Sequence, residues 1–424
     1  MARLLYSLFF YLAQPLVWLR LLWRARKQPE YLQHLGERYG FYPQPVPDRL
    51  LWLHVVSVGE TRAAEPLIKA LLEDYPDHSV LLTHMTPTGR ATGGELIAKY
   101  GSRLMQAYLP YDLPEACRRF FNHFRPALGL LMETELWPNL IAAAKQHKTP
   151  ILLINARLSA RSQRGYQRLS PLVRPALEEL HSIAAQTPGD AQRLTELGAN
   201  QVHVLGNLKF DVTPSAEKLE LGAQWRRDLG TRPVWLAAST REGEEQLILE
   251  AFAQIDLPDK LLLLVPRHPQ RFAEVATLIE ERQLSFCRRS ANAFPENSTQ
   301  VWLGDSMGEM PAYFAAANLA LIGGTLLPFG GQNLIEAAAC GCPVLVGPHS
   351  FNFAQATKDA IASGAAIRIS DAGSAADEAK RLLTDRQALQ TMRDAAASFS
   401  RAHRGATART MALIREVTVP QTAD

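Results

Sequence analysis

Beyond about residue 48, short apolar runs alternate with longer amphipathic stretches along the chain. Apolar runs of about four to eight residues are typical of buried parallel strands, and the amphipathic stretches between them are typical of connecting helices. In the first half of the chain the pattern predicts strands at residues 50–56, 80–84, 128–132, 151–155, 183–186 and 202–205. Repeated alternation of strands and helices predicts a doubly wound α/β domain.

The alternation is interrupted once, in a polar and charged stretch that predicts a connector with a helix inside it. Strands are predicted again at residues 234–238, 261–265, 285–288, 301–303, 319–322, 344–346 and 366–369. The sequence therefore predicts a Rossmann-like domain at 29–212, a connector at 213–232 and a second Rossmann-like domain at 233–424, with a shared cleft between the domains. Ligands of open α/β sheets bind beyond the carboxyl ends of the strands, so the residues that follow each strand are the candidates for chemistry.

The amino terminus has a different pattern. Residues 4–19 carry no charged side chain, and apolar residues resume at 21–23. About 20 apolar residues are needed to cross a bilayer, so residues 4–23 predict a membrane anchor, within 1–28, that either crosses the membrane or lies in one leaflet. A cleavable signal peptide is the competing interpretation, but a basic cluster follows the apolar run instead of a small-residue cleavage site. That cluster consists of Arg20, Arg24, Arg26 and Lys27, and it predicts that the protein body lies at the cytoplasmic face.

Composition excludes some classes of protein. The 424 residues, 47% of them hydrophobic, are enough for two cores of ordinary size. A net charge of +3 is small for this length, so no nucleic-acid partner is expected. The four scattered cysteines indicate a reducing compartment. Cys340 and Cys342 lack a nearby His or Cys cluster, so we expect small buried side chains there instead of a zinc or redox site.

Glu60 is the first candidate for chemistry. It follows the first predicted strand and Gly59, at the start of a predicted helix. The helix dipole favours a charged carboxylate at this position by about 0.3 to 1 kcal/mol. Position alone leaves two interpretations open, a catalytic base and a helix cap.

A second acidic site follows the strand at 128–132. Glu133 and Glu135 lie directly after this strand, before a helix that is predicted to begin near Pro138. Two carboxylates at a strand end can bind hydroxyl groups, and one of them can instead cap the helix.

An arginine series follows the strand at 151–155. Arg157, Arg161, Arg164 and Arg168 are spaced by four, three and four residues, so on one helix they would share a face. Such a face is often exposed to solvent without any binding role. Arginine also forms paired hydrogen bonds with phosphate, so the alternative is that these residues bind phosphate groups on an amphipathic acceptor.

The second half supplies candidates for a nucleotide site. Arg267 and His268 follow a predicted strand, and Gly308, Glu309 and Met310 form a turn at a predicted helix start. Gly323 and Gly324 lead through a glycine-rich stretch to a helix that begins with Asn333, Leu334, Ile335 and Glu336. Glycines permit close backbone approach, helix amino termini favour phosphate, and Glu336 can accept hydrogen bonds from ribose hydroxyls. The alternative is a plain glycine turn before a core helix.

Eight strings in order along the chain resemble the bacterial Kdo (3-deoxy-D-manno-octulosonic acid) transferases. They are SVGE at 57–60, MTPTG at 85–89, LPYDLP at 109–114, METELWPNL at 132–140, NARLSARS at 155–162, PRHP at 266–269, MGEM at 307–310 and NLIEAAA at 333–339. The resemblance covers nearly the whole chain, including the apolar amino terminus.

The resemblance implies a GT-B glycosyltransferase fold with two domains that face a cleft. It implies transfer of Kdo from CMP-Kdo to the tetraacylated lipid A precursor (lipid IVA), with inversion and release of CMP, in lipopolysaccharide biosynthesis at the cell inner membrane. No metal or other cofactor is expected, since the sequence has no Asp-x-Asp motif.

The resemblance also implies roles for residues. Glu60 is the base, and Glu133 and Glu135 belong to an acidic wall near the reacting sugar. The residues implied to contact CMP are Arg267, His268, Gly308, Glu309, Met310, Asn333, Leu334, Ile335 and Glu336. Two rival functions remain: a nucleotide-sugar 2-epimerase on the same fold, which needs no acceptor site, and a non-catalytic nucleotide-sugar sensor at the membrane.

Overall fold

Seven parallel strands form the sheet of the first α/β unit in the computed structural model, which describes residues 1–418. The strands are β1 (Leu50–His54), β2 (Ser79–His84), β3 (Leu104–Tyr108), β4 (Leu128–Met132), β5 (Ile151–Ala156), β6 (Ser182–Ala185) and β7 (Val202–Val204), in the order β3-β2-β1-β4-β5-β6-β7. The strands β1, β4, β5 and β6 are buried along their whole length because helices cover both faces of the sheet.

The helices of this unit follow the strands in sequence. They are α1 (Ala2–Leu12), α2 (Gln14–Ala25), α3 (Val58–Asp74), α4 (Pro87–Tyr100), α5 (Pro114–Phe124), α6 (Pro138–Gln146), α7 (Ala160–Arg168), α8 (Ser170–Glu178) and α9 (Pro188–Glu196). Ser57, Thr86 and Thr187 cap helices after strands, because each hydroxyl accepts a backbone N–H from the residue three positions on. Such a cap contributes about 1 kcal/mol, so the turn after each strand is fixed by its own sequence.

The predicted amino-terminal anchor consists of two helices. No single helix in residues 1–418 is long and apolar enough to cross a membrane. Helices α1 and α2 taken together have the length and apolar composition that a span requires, but the chain bends by 48° between them. The first helix is also attached to the protein body. The Ser7 hydroxyl lies 3.1 Å from Asn139 Oδ1, and the buried Asp112 carboxylate accepts backbone N–H groups of Asn139 and Leu140 at the start of α6.

The second unit contains another seven-stranded parallel sheet. Its strands are β8 (Val234–Thr240), β9 (Leu261–Pro266), β10 (Phe286–Arg288), β11 (Val301–Leu303), β12 (Leu319–Ile322), β13 (Val344–Val346) and β14 (Ala366–Arg368), in the order β10-β11-β9-β8-β12-β13-β14. Its helices are α10 (Ala216–Asp228), α11 (Glu244–Ala253), α12 (Phe272–Glu281), α13 (Met310–Ala316), α14 (Leu334–Ala339), α15 (Ala354–Ala362), α16 (Ala372–Thr384) and α17 (Arg386–Ala402). Both predicted Rossmann-like sheets are therefore present.

The division of the chain differs from the predicted one in two places. Of the described residues, the first unit comprises 1–212 together with 404–418, and the second comprises 213–403. Helix α18 (Ala406–Thr418) packs on α3 of the first unit, so the prediction that residues 233–424 form one domain is wrong for 404–418. Most of the predicted connector is α10, which packs closely on α13: a Cβ at Gly222 would lie 2.3 Å from the Ala312 carbonyl oxygen.

One strand has no counterpart among the predicted ones. Strand β3 lies at the edge of its sheet, and Met105 and Gln106 in its middle are only half-buried. An edge strand therefore lacks the continuous apolar run that marks the central strands.

Candidate active site

The carboxyl ends of β2, β1, β4 and β5 are neighbours in the first sheet. Since all of these strands are parallel, the segments that follow them meet at one edge. This edge brings together Glu60, Glu133 and Glu135, the three carboxylates singled out from the sequence.

Glu60 lies in the first turn of α3 and is half-buried. Its Oε2 accepts the Val56 backbone N–H at 2.9 Å, and its Oε1 accepts the Ser57 hydroxyl at 2.9 Å. The carboxylate thus takes part in capping the helix. Each oxygen keeps further lone pairs, so capping does not prevent it from accepting a proton.

Two opposing effects act on the acidity of Glu60. Burial raises its pKa most, and the negative charge of Glu133 raises it further, whereas the hydrogen bonds from Val56 and Ser57 and the proximity of His54 lower it. The net result is a pKa above the usual carboxyl range, which makes Glu60 a stronger base than an exposed glutamate.

Glu133 has a left-handed backbone conformation, with φ of 65°. A non-glycine residue rarely adopts this conformation, which is common at functional sites. Its carboxylate lies 2.8 Å from Lys209 Nζ. Lys209 belongs to a 3-10 turn (Leu208–Asp211), and the Asn155 side chain fixes that turn by accepting the Leu208 backbone N–H at 3.0 Å.

Glu135, the third carboxylate, contacts Trp137 and lies near His54. Its Oε2 accepts the Trp137 indole N–H at 2.7 Å and lies 3.8 Å from Nε2 of the fully buried His54. Burial and the charge of Glu135 both raise the pKa of Tyr166 on α7.

The four arginines do not form one helical face as predicted. Arg157 precedes α7, which begins at Ala160 after the Ser159 cap, so the predicted stripe is wrong for this residue. Arg161, Arg164 and Arg168 do lie on α7, and their side chains are exposed. Within residues 1–418 no carboxylate forms an ion pair with these three.

In the second unit, basic residues gather beyond β8 and β9. Arg267 and His268 follow β9, and both are exposed. Partial burial and the charges of Arg241, Arg267 and Arg271 lower the pKa of His268, which keeps the ring neutral. The Arg241 guanidinium lies 4.6 Å from the Phe329 ring centroid.

Glu244 organises the glycine-rich stretch from inside the protein. This fully buried carboxylate accepts backbone N–H groups from Arg241, Gly324, Leu326 and Leu327, at 2.9, 2.6, 2.9 and 3.4 Å. Gly323 permits the close approach of β12 to β8, because a Cβ there would lie 2.3 Å from the Ser239 carbonyl oxygen.

The predicted turn at 308–310 leads into α13, a helix of seven residues that begins at Met310. Gly308 has φ of 77° and is exposed, and Met310 is half-buried. The Glu309 carboxylate is engaged by Arg289 at 2.9 Å and by the Ser306 hydroxyl at 2.5 Å. The exposed residue of this turn is Gly308, which has no side chain and can offer a ligand only backbone atoms.

The predicted residues at 333–336 begin α14. Asn333 caps this short helix, since its Oδ1 accepts the Ile335 backbone N–H at 3.1 Å. The side chains of Leu334 and Ile335 are buried, and Asn333 and Glu336 are half-buried. Direct contact of Leu334 or Ile335 with a ligand would therefore involve backbone atoms.

Sequence reasoning missed His54, Lys209 and Arg241. His54 and Arg241 stand at the ends of β1 and β8, so the rule that chemistry follows strand ends was sufficient to find them. Lys209 gave no such signal, because a turn far along the chain brings it to Glu133.

The sequence of the first unit matches a family model described as 3-deoxy-D-manno-octulosonic-acid transferase (kdotransferase), over residues 33–212. A 3-deoxy-D-manno-octulosonic acid transferase of Bordetella pertussis is 46% identical, over 97% of this chain and 98% of that protein. The chain belongs to the Kdo transferase family. A Kdo transferase of Haemophilus influenzae is 36% identical, over 98% of each chain.

The second unit matches the model of glycosyl transferases group 1 over residues 241–399, in agreement with a Kdo transferase. A solved structure of a putative UDP-N-acetylglucosamine 2-epimerase from Listeria monocytogenes has a TM-score of 0.59 at 16% identity, over 89% of this chain and 97% of that chain. This likeness concerns the fold alone. In residues 1–418, no group of three or more His, Cys, Asp or Glu side chains is placed to hold a metal ion.

Proposed function

We propose that this Kdo transferase moves Kdo from CMP-Kdo to the tetraacylated lipid A precursor (lipid IVA) in lipopolysaccharide biosynthesis, with inversion and release of CMP. The observation that carries the proposal is the Glu60 carboxylate, held at a strand end beside Glu133 in a member of the Kdo transferase family.

In the proposed reaction Glu60 removes the proton from the acceptor hydroxyl. The freed oxygen attacks the ketosidic carbon of Kdo as the bond to the CMP phosphate breaks, so one displacement inverts that carbon. A positioned general base contributes about 10²- to 10⁴-fold to such a rate. Glu133 and Glu135 line the acceptor side, and Arg157, Arg161 and Arg164 bind its phosphates.

The second unit holds the donor in this proposal, as part of a GT-B enzyme. Arg267 and the neutral His268 bind the phosphate of CMP, and the backbone of Gly308, Glu309 and Met310 and the residues Asn333, Leu334, Ile335 and Glu336 contact the nucleotide. The negative charge that develops on the leaving phosphate is stabilised by these fixed donors, without a metal ion or other cofactor.

We further propose that residues 4–23 lie in one leaflet of the inner membrane, with the enzyme at its cytoplasmic face. Large apolar side chains of α1 and α2 are exposed, among them Leu4, Leu5, Phe9, Leu12, Leu16, Leu19 and Trp23. The hydrogen bond from Ser7 to Asn139 favours an interfacial position over a separate span, because it ties α1 to the body of the protein.

The test is product formation from CMP-Kdo and purified lipid IVA, measured by mass spectrometry. The wild-type enzyme is expected to add Kdo to the lipid, and Glu60→Gln to lower the transfer rate by at least about 100-fold while CMP binding is retained.

Glu65→Gln is the matched control. Glu65 lies on the same helix but pairs with Lys99 at 2.6 Å, so this variant is expected to keep its activity. Transfer at a near wild-type rate by Glu60→Gln would refute the base assignment, and a wild-type protein that forms no Kdo-containing lipid would refute the substrates.

A further inference from the structure

Asp112 is a buried carboxylate that the proposed reaction leaves without a role. It follows β3, and only 1% of its surface is exposed. Burial raises the pKa of Asp112 most, and hydrogen bonds to its charged form oppose this effect without cancelling it. These hydrogen bonds come from Asn139, Tyr6, Leu140 and Cys117. A buried carboxylate is costly unless such donors surround it, so the segments that supply them are tied to Asp112.

Asp112 caps helix α6 from outside that helix. The residue before α6 is Trp137, whose side chain does not cap it, and Pro138 takes the first helical position. Asp112 Oδ2 accepts the Asn139 backbone N–H at 3.1 Å, and its Oδ1 accepts the Leu140 backbone N–H at 2.8 Å. These are the two N–H groups that a local N-cap side chain normally accepts. The cap of α6 therefore comes from a residue 27 positions before Asn139.

Four other helices that follow strands of this sheet carry caps in their own sequences. The capping residues of α3, α4, α7 and α9 are Ser57, Thr86, Ser159 and Thr187. At α6 the equivalent residue is Trp137, which instead donates its indole N–H to Glu135 at 2.7 Å. The start of α6 is thus used for the acidic wall, and its cap is supplied from elsewhere in the fold.

The segment 133–137 joins β4 to α6 and carries both carboxylates of the acidic wall. Its first end is fixed by the sheet, since the Glu133 backbone N–H donates to the Ile154 carbonyl oxygen at 2.9 Å. Its second end is Trp137, directly before the turn that Asp112 caps. Because the Trp137 indole holds Glu135, the position of that carboxylate depends on the cap.

Helix α1 completes this arrangement. The Tyr6 hydroxyl is one of the hydrogen-bond donors of Asp112, and the buried Ser7 hydroxyl lies 3.1 Å from Asn139 Oδ1. Asn139 Nδ2 donates to the Asp112 carbonyl oxygen at 2.8 Å, so its Oδ1 faces Ser7 and can only accept. The Ser7 hydrogen is shared with the Arg3 carbonyl oxygen, 2.9 Å from the same hydroxyl. Without Ser7, the buried Oδ1 has no donor in residues 1–418.

We propose that Asp112 and Tyr6 are positioning residues of the transferase site: Asp112 caps α6 so that the segment 133–137 holds Glu135 in place, and Tyr6 makes α1 part of that cap. The inference rests on the proposed function, in which this segment lines the acceptor side. It gives α1 a role besides membrane contact. The polar contacts of Tyr6 and Ser7 support the site, and the apolar side chains on the exposed face of α1 meet the lipid.

The first experiment measures backbone hydrogen exchange by mass spectrometry in Tyr6→Phe and Ser7→Ala, which each remove one hydroxyl and leave Asp112 in place. Residues 133–142 should exchange about fivefold faster in both variants, because a bond that supports the buried cap is lost. Tyr11→Phe is the matched control, since Tyr11 is an exposed tyrosine of the same helix. Its exchange should equal that of the wild type. Unchanged exchange of 133–142 in Tyr6→Phe and Ser7→Ala would overturn the inference.

The second experiment measures transfer from CMP-Kdo to lipid IVA in detergent micelles, where attachment to a membrane does not limit the rate. Tyr6→Phe should lower kcat/KM for the acceptor by about threefold or more and change the KM for CMP-Kdo by less than about 1.5-fold. Tyr11→Phe should match the wild type. Binding of Tyr6→Phe to phospholipid vesicles should also be unchanged, because the exposed apolar side chains of α1 are intact.

The two experiments together separate positioning from stability alone. Faster exchange of 133–142 with wild-type acceptor kinetics at a temperature below unfolding would mean that Tyr6 only stabilises the protein, and would overturn the inference. A wild-type enzyme that forms no Kdo-containing lipid would refute the proposed function instead. An active wild type with an equally active Tyr6→Phe would refute the inference and leave the proposed function standing.

Discussion

Glu60 and Glu244 occupy matching places in the two units. Each lies in the first turn of the helix that follows the first strand of its sheet, and each accepts backbone N–H groups there. Glu244 is fully buried and accepts four such groups, which fix the glycine-rich stretch. Glu60 accepts one, remains half-buried, and faces the charge of Glu133.

The difference shows how one local position is used for structure in one unit and stays available for chemistry in the other. A carboxylate whose lone pairs are all used by N–H donors holds a loop and cannot take a proton without loss of those bonds. A carboxylate with spare lone pairs and a like-charged neighbour is prepared to accept a proton. The strand ends around them differ accordingly: glutamates gather in the first unit, and Arg241, Arg267 and Arg271 in the second.

The largest effect is expected at Glu244. In Glu244→Gln an amide NH₂ replaces one oxygen, so two backbone N–H groups lose their acceptor, at a cost of about 2 to 3 kcal/mol. The melting temperature of the second unit should fall by about 5 to 10 °C in calorimetry.

Glu60→Gln should act in the opposite direction on stability. The folded-state pKa of Glu60 is raised, so the ionised side chain destabilises the folded state above that pKa, and stability is lost as the pH rises through it. The neutral amide that this substitution introduces should raise the melting temperature by about 2 °C at pH 8, with a smaller gain near pH 5. A lower melting temperature at pH 8 would show that Glu60, like Glu244, is mainly structural.

The next effect concerns the basic residues that follow β8 and β9. Arg267→Gln should weaken CMP binding by about tenfold in calorimetric titration, because one charge-assisted bond to phosphate is lost. Arg282→Gln is the control, since Arg282 pairs with Glu250 at 3.0 Å elsewhere in the same unit. Equal losses in both variants would contradict a phosphate role for Arg267.

A smaller effect is expected on α7. The double variant Arg161→Glu/Arg164→Glu should raise the KM for lipid IVA by about fivefold and leave CMP binding unchanged, because these exposed arginines meet acceptor phosphates in the proposal. The increase should shrink at high salt. Arg401→Glu, at an exposed arginine of the second unit, is expected to change neither quantity. Parallel loss of donor and acceptor binding in the double variant would indicate a folding defect.

The smallest expected effect concerns Glu133, the like-charged neighbour of Glu60. Glu133→Gln removes a charge that raises the pKa of Glu60, so the base should ionise at lower pH. The acid limb of kcat/KM should move to lower pH by about 0.5 unit. An acid limb of kcat/KM that moves to higher pH would contradict the claim that the charge of Glu133 raises the pKa of Glu60.

Much of the fold was predictable from local pattern. The central strands appear as unbroken apolar runs because both of their faces are covered, and β4, β11, β12 and β13 begin and end where the pattern predicts. Strand β3 and the return of α18 to the first unit were not predictable in this way. The first is a partly exposed edge, and the second depends on packing between segments more than 300 residues apart, such as the contact of Tyr75 with Thr418.

The sequence by itself determined two doubly wound sheets, the membership in the Kdo transferase family and the position of Glu60 at a helix start, because periodicity, caps and motifs are local properties of the chain. Only the tertiary structure decided what surrounds that carboxylate. Glu133 and His54 reach Glu60 through strand pairing, and Lys209 reaches Glu133 through a distant turn. Charge interactions depend on distance in space, which the spacing of residues along the chain does not specify.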